Sequence, residues 1–261
     1  MKIQVNGLSV AYDIAGSSGE WVTLSHAHCC NRETWQALRQ QLSTHYRVLT
    51  FDARGHGDTS STPPPYTMAG LADDAFQLLQ ALGIHRTHWV GQAMGAMVGQ
   101  TLALAQPQGI QSLVLADSTL GNPQRSKPVW DERNALAQRE GLEALVASTL
   151  ERWFTPETLV TQVALMQWVA EMISRTPVDG YIGGSQAMAG LDLNQRIQEI
   201  KCPTLVMVGA HDPATPVEMA RRIHSQITHS SLVVLPDASH MANLEQPEQF
   251  NHHVLTFFAS L

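Results

Sequence analysis

The segment from Val90 to Gly99 limits the possible folds of this chain more than any other part of the sequence. It reads V-G-Q-A-M-G-A-M-V-G and matches the G-x-S-x-G pattern of a sharp turn between a strand and a helix, with Ala93 in place of the serine. Glycines are needed beside such a turn because the backbone passes close to its neighbours. The pattern predicts a strand that ends near Val90, a strained turn at Ala93 and a helix that begins at Met94.

The same turn carries a chemical expectation. The amide that follows the central residue points at a carbonyl oxygen that becomes negatively charged during acyl transfer. Here that amide belongs to Met94, and it is present whatever the side chain at position 93. Alanine has no hydroxyl, so the segment predicts the architecture of an acyl-transfer site without its attacking oxygen.

Length, charge and composition exclude several classes of protein. The chain has 261 residues, of which 44% are hydrophobic, and this suits one globular domain with an insertion. The net charge of −7 comes without any basic block, which excludes a nucleic-acid partner because phosphate binding needs clustered Lys and Arg. No apolar run reaches the ~18 residues that span a bilayer, and no signal peptide is evident. We therefore expect a cytoplasmic protein with no membrane partner, and the oligomeric state stays open.

Cysteine and histidine do not form a recognisable metal or disulfide pattern. The three cysteines are Cys29, Cys30 and Cys202, without a C-x-x-C spacing, and adjacent cysteines cannot easily bridge to each other. The twelve histidines are scattered along the chain. We therefore expect no metal ion and no organic cofactor.

Strand-like and helix-like segments alternate along most of the chain. Predicted strands cover residues 3–5, 8–13, 21–25, 46–51, 88–90, 110–117, 204–208 and 231–235, and predicted helices cover 34–42, 68–82, 94–105 and 247–260. This alternation predicts an α/β fold, with a mostly parallel central sheet, right-handed crossovers and helices on both faces.

The pattern changes between residues 121 and 191. Strand-like runs stop there, and four helical stretches follow one another, at 129–139, 142–154, 156–174 and 178–189. We interpret residues 121–191 as a helical lid over the carboxyl ends of the strands, inserted into a core formed by residues 1–120 and 192–261.

Five short motifs occur in a fixed order along the chain. They are Phe51–Gly57, Pro63–Thr67, Gly91–Gly95, Gly209–Asp212 and Ser239–His240. Together with the alternating pattern and the lid, they resemble the α/β-hydrolase superfamily, and within it the 3-oxoadipate enol-lactonase-like group. The resemblance covers nearly the whole chain. It implies an α/β-hydrolase fold and hydrolysis of a small carboxylic ester or lactone, in aromatic catabolism, by Ser-His-Asp chemistry.

The resemblance also implies catalytic roles for individual residues. Ala93 stands at the nucleophile position. Asp212 follows strand 204–208, where the family has the acid that orients the histidine, and Asp237 is a weaker alternative. His240 follows strand 231–235, where the family has its general base. The chain order of nucleophile, acid and base is that of the family.

Two backbone amides and four side chains complete the predicted site. The oxyanion hole would consist of the amides of His28 and Met94, although Ala27 stands where the family has glycine. Arg133 and Arg152 are interpreted as exposed helix charges, with a substrate carboxylate as the alternative. Contact with the substrate is expected from His26, Cys29, Trp130 and Trp153.

Alanine at position 93 leaves three interpretations open. The chain is a serine hydrolase whose nucleophile was replaced by alanine, which would still bind its substrate. Alternatively it is a natural alanine enzyme, in which a His-Asp dyad activates water or supports a cofactor-free lyase or oxygenase step. Aminoacrylate hydrolases and cofactor-free dioxygenases of the superfamily resemble this case. In the third interpretation it is a non-enzymatic binder of small molecules, against which the retained Asp212 and His240 argue.

Overall fold

An eight-stranded sheet forms the centre of the computed structural model, which describes residues 1–261. The strands are β1 (Lys2–Val5), β2 (Leu8–Ala15), β3 (Trp21–Ser25), β4 (Arg47–Phe51), β5 (Thr87–Gln92), β6 (Ile110–Ala116), β7 (Thr204–Gly209) and β8 (Ser230–Leu235). Their order in space is β1-β2-β4-β3-β5-β6-β7-β8. Only the pairs β1–β2 and β2–β4 are antiparallel. The predicted mostly parallel sheet is confirmed.

Eleven α-helices surround the sheet. They are α1 (Gln36–Leu42), α2 (Met68–Ala81), α3 (Met94–Ala105), α4 (Pro123–Glu140), α5 (Val146–Trp153), α6 (Pro156–Thr161), α7 (Val163–Arg175), α8 (Val178–Ala189), α9 (Val217–Gln226), α10 (Ala242–Glu245) and α11 (Pro247–Ala259). None of them combines the length and the apolar character that a membrane-spanning helix needs.

Two apolar layers cover opposite faces of the sheet. Helices α2, α3 and α9 pack on one face, and α1 and α11 pack on the other. Along β6, Leu113 and Leu115 face the first layer, whereas Val114 and Ala116 face the second, because successive side chains of a strand point to opposite sides. The helices therefore cover both faces, as predicted.

The inserted helices differ in detail from the prediction. The helix expected at 129–139 begins at Pro123, because Asn122 caps it by accepting a hydrogen bond from the Arg125 amide and proline fits the first turn. The helix expected at 156–174 is two helices, α6 and α7, which are separated at Gln162 where φ is −106° and ψ is 53°.

Helices α4 to α8 lie between β6 and β7 in the sequence and bury a third apolar cluster. This cluster joins residues such as Trp153 and Tyr181 to Ala27, Ala93 and Met241, which follow the sheet strands. The inserted helices therefore pack over the carboxyl ends of the central strands. The division into a core and a lid at residues 121–191 stays a prediction.

The turn between β5 and α3 is tight and strained. Ala93 has φ of 48° and ψ of −110°, a conformation that L-residues other than glycine rarely adopt. Gly95 lies directly against β3, so that a methyl group there would overlap the carbonyl oxygen of Ser25. The turn can form because α3 is free to approach the sheet this closely.

Gly95→Ala should lower the free energy of unfolding by about 1–3 kcal/mol, since the added methyl has no room beside Ser25. Urea-induced unfolding measures the change. Gly190→Ala is the control, because the neighbouring atoms leave space there, and it should stay within about 0.5 kcal/mol of the parent. Equal effects of the two variants would show that close approach is not the reason for glycine at position 95.

Candidate active site

A cavity of about 360 Å³ opens at the carboxyl ends of the central strands, beneath the inserted helices. Ala93 and His240 both contribute to its wall, together with residues of α4 and α5. In open α/β sheets this edge is where ligands usually bind. The sheet topology thus brings residues from distant parts of the chain to one cavity.

A hydrogen-bonded pair of His240 and Asp212 borders this cavity. His240 Nδ1 donates to Asp212 Oδ2 at 2.8 Å, which leaves Nε2 as the ring nitrogen without a partner in the protein. The other Asp212 oxygen accepts from the amides of Ala214 and Thr215 at 2.7 and 2.9 Å, and the Thr215 hydroxyl donates to Oδ2 at 2.5 Å. The carboxylate is therefore held in one orientation. Asp237, the weaker alternative, is exposed and makes no contact of this kind.

The two members of the pair shift each other's protonation. Burial by itself would lower the pKa of His240, but the charge and hydrogen bond of Asp212 outweigh it, and the pKa lies above its ordinary value. Burial would raise the pKa of Asp212, and the His240 charge together with the donated hydrogen bonds brings it below its ordinary value. Such a pair stabilises an imidazolium, which is what a general base becomes after it accepts a proton.

Ala93 is held at the edge of the cavity by its backbone. Its amide donates to the Ala116 carbonyl at 2.9 Å, and its own carbonyl accepts from Ala96 and Met97 at 3.0 Å. The Ala93 side chain lines the same cavity as His240. The sharp turn therefore places a residue with a methyl side chain on the wall of the cavity.

Two amides near the turn and the β3 loop, those of Met94 and His28, have no acceptor in the protein. Met94 is the first residue of α3, and the first amides of a helix have no acceptor within it. The His28 amide makes no backbone hydrogen bond, since it lies in a tight turn that Cys30 closes onto the Ala27 carbonyl at 3.1 Å. Cys29 follows in this turn with φ of 59°. Of these two residues, His28 lines the cavity.

His26 does not line the cavity, contrary to the prediction of substrate contact. Its Nδ1 donates to the Ala27 carbonyl at 2.7 Å, and its Nε2 accepts from the Ala53 amide at 2.9 Å. Both ring nitrogens are therefore used, and the residue is 1% exposed. His26 joins the loop after β3 to the loop after β4 instead.

His26 belongs to a buried cluster of three imidazoles. The ring of His56 lies 5.4 Å from that of His26 and 5.3 Å from that of His28. His28 Nε2 also contacts the Tyr181 carbonyl of α8 at 2.9 Å, so this ring links the β3 loop to the inserted helices. Burial lowers the pKa of His26 to about 4 and that of His56 to about 3, and holds the pKa of His28 well below its usual range.

The other predicted contact residues do line the cavity. Trp153 lies with its ring 6.3 Å from that of His240, and Trp130 with its ring 5.6 Å from that of His28. Cys29 is also on the wall, but burial raises the pKa of its thiol well above the ordinary value. A neutral thiol is a poor nucleophile, so Cys29 does not replace the missing hydroxyl.

Two arginines that the sequence analysis interprets as exposed helix charges lie on the cavity wall. Arg133 and Arg152 are half-buried and line the cavity, whereas exposed positions were expected. Arg133 donates only to neutral groups, chiefly the Thr149 hydroxyl at 2.6 Å and the Tyr181 hydroxyl at 3.2 Å. Arg152 makes no ion pair, and burial and the charge of Arg133 lower its pKa. The position of Arg152 beside Trp153 was the available signal, but only the packing of α5 shows which way it faces.

The cavity wall as a whole is positive. Arg125 and Arg222 line its outer part, and no aspartate or glutamate is among the lining residues. A half-buried guanidinium without a carboxylate partner is costly unless a ligand supplies the negative charge. The arrangement suits a small anion that also carries a carbonyl group.

The chain is similar over most of its length to known hydrolases. A family model described as alpha/beta hydrolase fold matches residues 20–247. A protein named 3-oxoadipate enol-lactonase 2, from Acinetobacter baylyi, is 32% identical over 86% of this chain and 83% of its own. The crystal structure of an enol-lactonase from Burkholderia xenovorans LB400 is 30% identical with a TM-score of 0.96, covering 99% of this chain and 100% of that one. A malate-bound thermophilic esterase from Thermogutta terrifontis is 26% identical with a TM-score of 0.94, covering 100% and 98%.

The three buried imidazoles predict a loss of stability on acidification. Below about pH 6.5 an unfolded chain protonates these rings, whereas the folded chain keeps His26 and His56 neutral down to about pH 4 and 3. The free energy of unfolding should therefore decrease as the pH is lowered below about 6.5, by about 1.4 kcal/mol per pH unit for each ring.

Urea-induced unfolding between about pH 6.5 and 5 measures this decrease in the free energy of unfolding. In His56→Asn the decrease over this range should be smaller than in the parent by about 2 kcal/mol. His85→Asn, at an exposed position, is the control and should follow the parent. A His56→Asn variant as acid-sensitive as the parent would contradict the assignment.

Proposed function

Because the chain belongs to the alpha/beta hydrolase fold family, we propose that its cavity is a hydrolase site for a small carboxylic ester or lactone that carries an acidic group. The observation that supports this best is that Ala93 and His240, which Asp212 holds in place, line one cavity, and that Ala93 immediately precedes the first amide of α3. This set contains the base, the acid and the oxyanion donors of acyl transfer. Only the attacking oxygen is missing.

The reaction follows from the positions of these groups. A serine at position 93 would attack the substrate carbonyl while His240 Nε2 takes its proton and returns it to the leaving oxygen. Asp212 keeps the imidazole in the tautomer with Nδ1 protonated and stabilises the imidazolium. The amides of Met94 and His28 would receive the negative oxygen of the tetrahedral intermediate. With Ala93 in the chain, binding and polarisation remain while the covalent step is lost.

A second candidate is hydrolysis, or another cofactor-free step, without any serine. His240 and Asp212 are fully assembled in a chain that has alanine at the turn, and Nε2 faces the cavity unpaired. A water molecule beside the methyl could then lose its proton to His240 and attack the carbonyl directly. This route is slower with unactivated esters, because water replaces a fixed nucleophile.

The charge of the wall supports an acidic substrate. Arg133 and Arg152 can together bind a carboxylate, and the cavity volume of about 360 Å³ is at the small end for ligand sites. One similar protein is named after 3-oxoadipate, a carboxylic acid, and the structure of another, an esterase, contains bound malate. We propose a small anionic ester or enol-lactone, which fits a role in the breakdown of aromatic compounds.

Ala93→Ser should raise kcat/KM for small activated esters and lactones by about four orders of magnitude, with a burst of product, because it restores the nucleophile. Stopped-flow assays with p-nitrophenyl acetate and titrimetric assays with lactones measure this. Ala93→Ser combined with His240→Ala is the control and should lose the gain.

Activity of the alanine form that disappears in His240→Ala, without a gain from serine, would favour the water route. If neither form turns over any substrate and ligands only raise the Tm, the site binds without catalysing, and the proposal is wrong.

Arg152→Gln in the Ala93→Ser enzyme should raise KM for an anionic ester by about 10- to 100-fold, because it removes a charge-assisted contact. KM for a neutral ester of the same size should change by less than about threefold. Arg139→Gln is the matched control, since this arginine lies on the exposed side of α4 and pairs with Glu140. Equal losses for anionic and neutral esters would exclude a carboxylate-binding role.

A further inference from the structure

A second buried carboxyl group lies behind the His240–Asp212 pair. Asp117 directly follows β6 and is 0% exposed. Its Oδ1 accepts from the Gly209 amide at 2.8 Å, and its Oδ2 accepts from Gln92 Nε2 at 2.9 Å. Since β6 lies between β5 and β7, this one side chain bridges the carboxyl ends of both neighbouring strands.

Gln92 connects Asp117 to the histidine. It is the last residue of β5 and precedes Ala93, and its Nε2 also donates to the His240 carbonyl at 2.5 Å. A carbonyl oxygen can only accept, so the amide must present its nitrogen to His240. The two protons of Nε2 are then shared between Asp117 and His240. The strained turn and the histidine loop are thereby joined through one buried side chain.

The other oxygen of Asp117 acts on the acid of the pair. Gly209 ends β7, and its carbonyl accepts from the Asp212 amide at 3.2 Å. The Gly209 amide that Asp117 binds is therefore in the same residue from which the Asp212 loop begins. Asp117 thus holds the loops of both Asp212 and His240.

The charges around this group are unusual for a buried carboxyl. No Lys or Arg pairs with Asp117; burial and the negative charge of Asp212 raise its pKa to about 8. The charged or titratable groups that act on His240 are Asp212, Asp117 and Arg152. Asp212 is hydrogen-bonded to the imidazole and Asp117 acts on it through space, and at neutral pH only Asp212 is mainly ionised.

We propose that Asp117 and Gln92 are positioning residues, which fix the His240–Asp212 pair against the Ala93 turn, and that Asp117 is a second carboxyl coupled to the imidazole. The inference rests on the proposed role of His240 as the base. It differs from a purely structural role in one respect: the protonation of His240 depends on Asp117. That dependence can be measured on the chain as it is, without turnover.

Nitrogen NMR of the imidazole of His240 tests the coupling, with its signals assigned by their loss in His240→Gln. In the parent we expect two titration steps, the second near pH 8, because a neighbouring carboxyl that ionises shifts the ring signals again. Asp117→Asn should show a single step, because the step near pH 8 is lost with the carboxyl group. The same curve in the parent and in folded Asp117→Asn would overturn the proposal.

Gln92→Met provides a second test that keeps the carboxyl in place. It removes the link to the His240 carbonyl with little change in volume, so the Nδ1 proton between His240 and Asp212 should exchange at least about tenfold faster with water. Gln100→Met is the matched control, because Gln100 is also buried and donates to Ser118 at 2.9 Å without reaching His240. Parent-like exchange in Gln92→Met, or an equal change in both variants, would overturn the positioning role.

The failures of the two proposals are distinguishable. If Ala93→Ser shows no activity but Asp117→Asn alters the His240 titration, the hydrolase proposal fails and the coupling stands. If Ala93→Ser is active and the titration is unchanged, the reverse holds. In the active form, Gln92→Met should lower kcat about tenfold with little change in KM, because it affects the orientation of the base and not binding.

Discussion

The close approach of α3 to the sheet is the constraint on which the site depends. Gly95 touches the Ser25 carbonyl of β3, and the chain must turn within a single residue between β5 and this helix. Ala93 takes up the strain with φ of 48°. Its amide donates to the Ala116 carbonyl, and its carbonyl accepts from the Ala96 and Met97 amides in the first turn of α3. A conformation of this kind persists only when surrounding contacts determine it. The turn therefore has its shape whether or not a hydroxyl is present.

Parallel strands make the rest of the arrangement possible. The carboxyl ends of β5, β6 and β7 meet at one edge, so Gln92, Asp117 and Gly209 become neighbours although they are far apart in the sequence. The loops that follow carry Asp212 and His240 to the same edge. The inserted helices cover it with Trp153 and Arg152, which makes a cavity out of what would otherwise be an open crevice.

Local signals in the sequence predicted much of the fold. Where the sequence analysis failed to predict the role of a site residue, the reason is physical. The glycine spacing around Ala93 predicted a helix that begins at Met94, and α3 begins there. The pairing of His240 with Asp212 was implied by the family resemblance, through their places after two strands. The prediction of substrate contact for His26 was wrong, because a histidine next to a site can instead link two loops by hydrogen bonds. Only its neighbours in three dimensions, such as Ala53, distinguish the two roles. Asp117 was missed for the same reason, since its partners come from two other strands.

The charge distribution connects the proposals. The chain carries a net charge of −7, yet its cavity is lined by four arginines and by no acidic residue. A long-range field of the whole protein would repel an anionic substrate, but Arg133 and Arg152 act at short range in a partly desolvated site where screening is weak. Asp117 affects the same balance. Ionised, it would place a second negative charge behind His240 and oppose the binding of an anion; protonated, as its pKa of about 8 implies at neutral pH, it leaves the cavity positive. On this view the buried acid both positions the imidazole and keeps the site compatible with an acidic substrate. Only the second effect should weaken as the pH rises past 8, because an ionised Asp117 still accepts from Gln92 and Gly209.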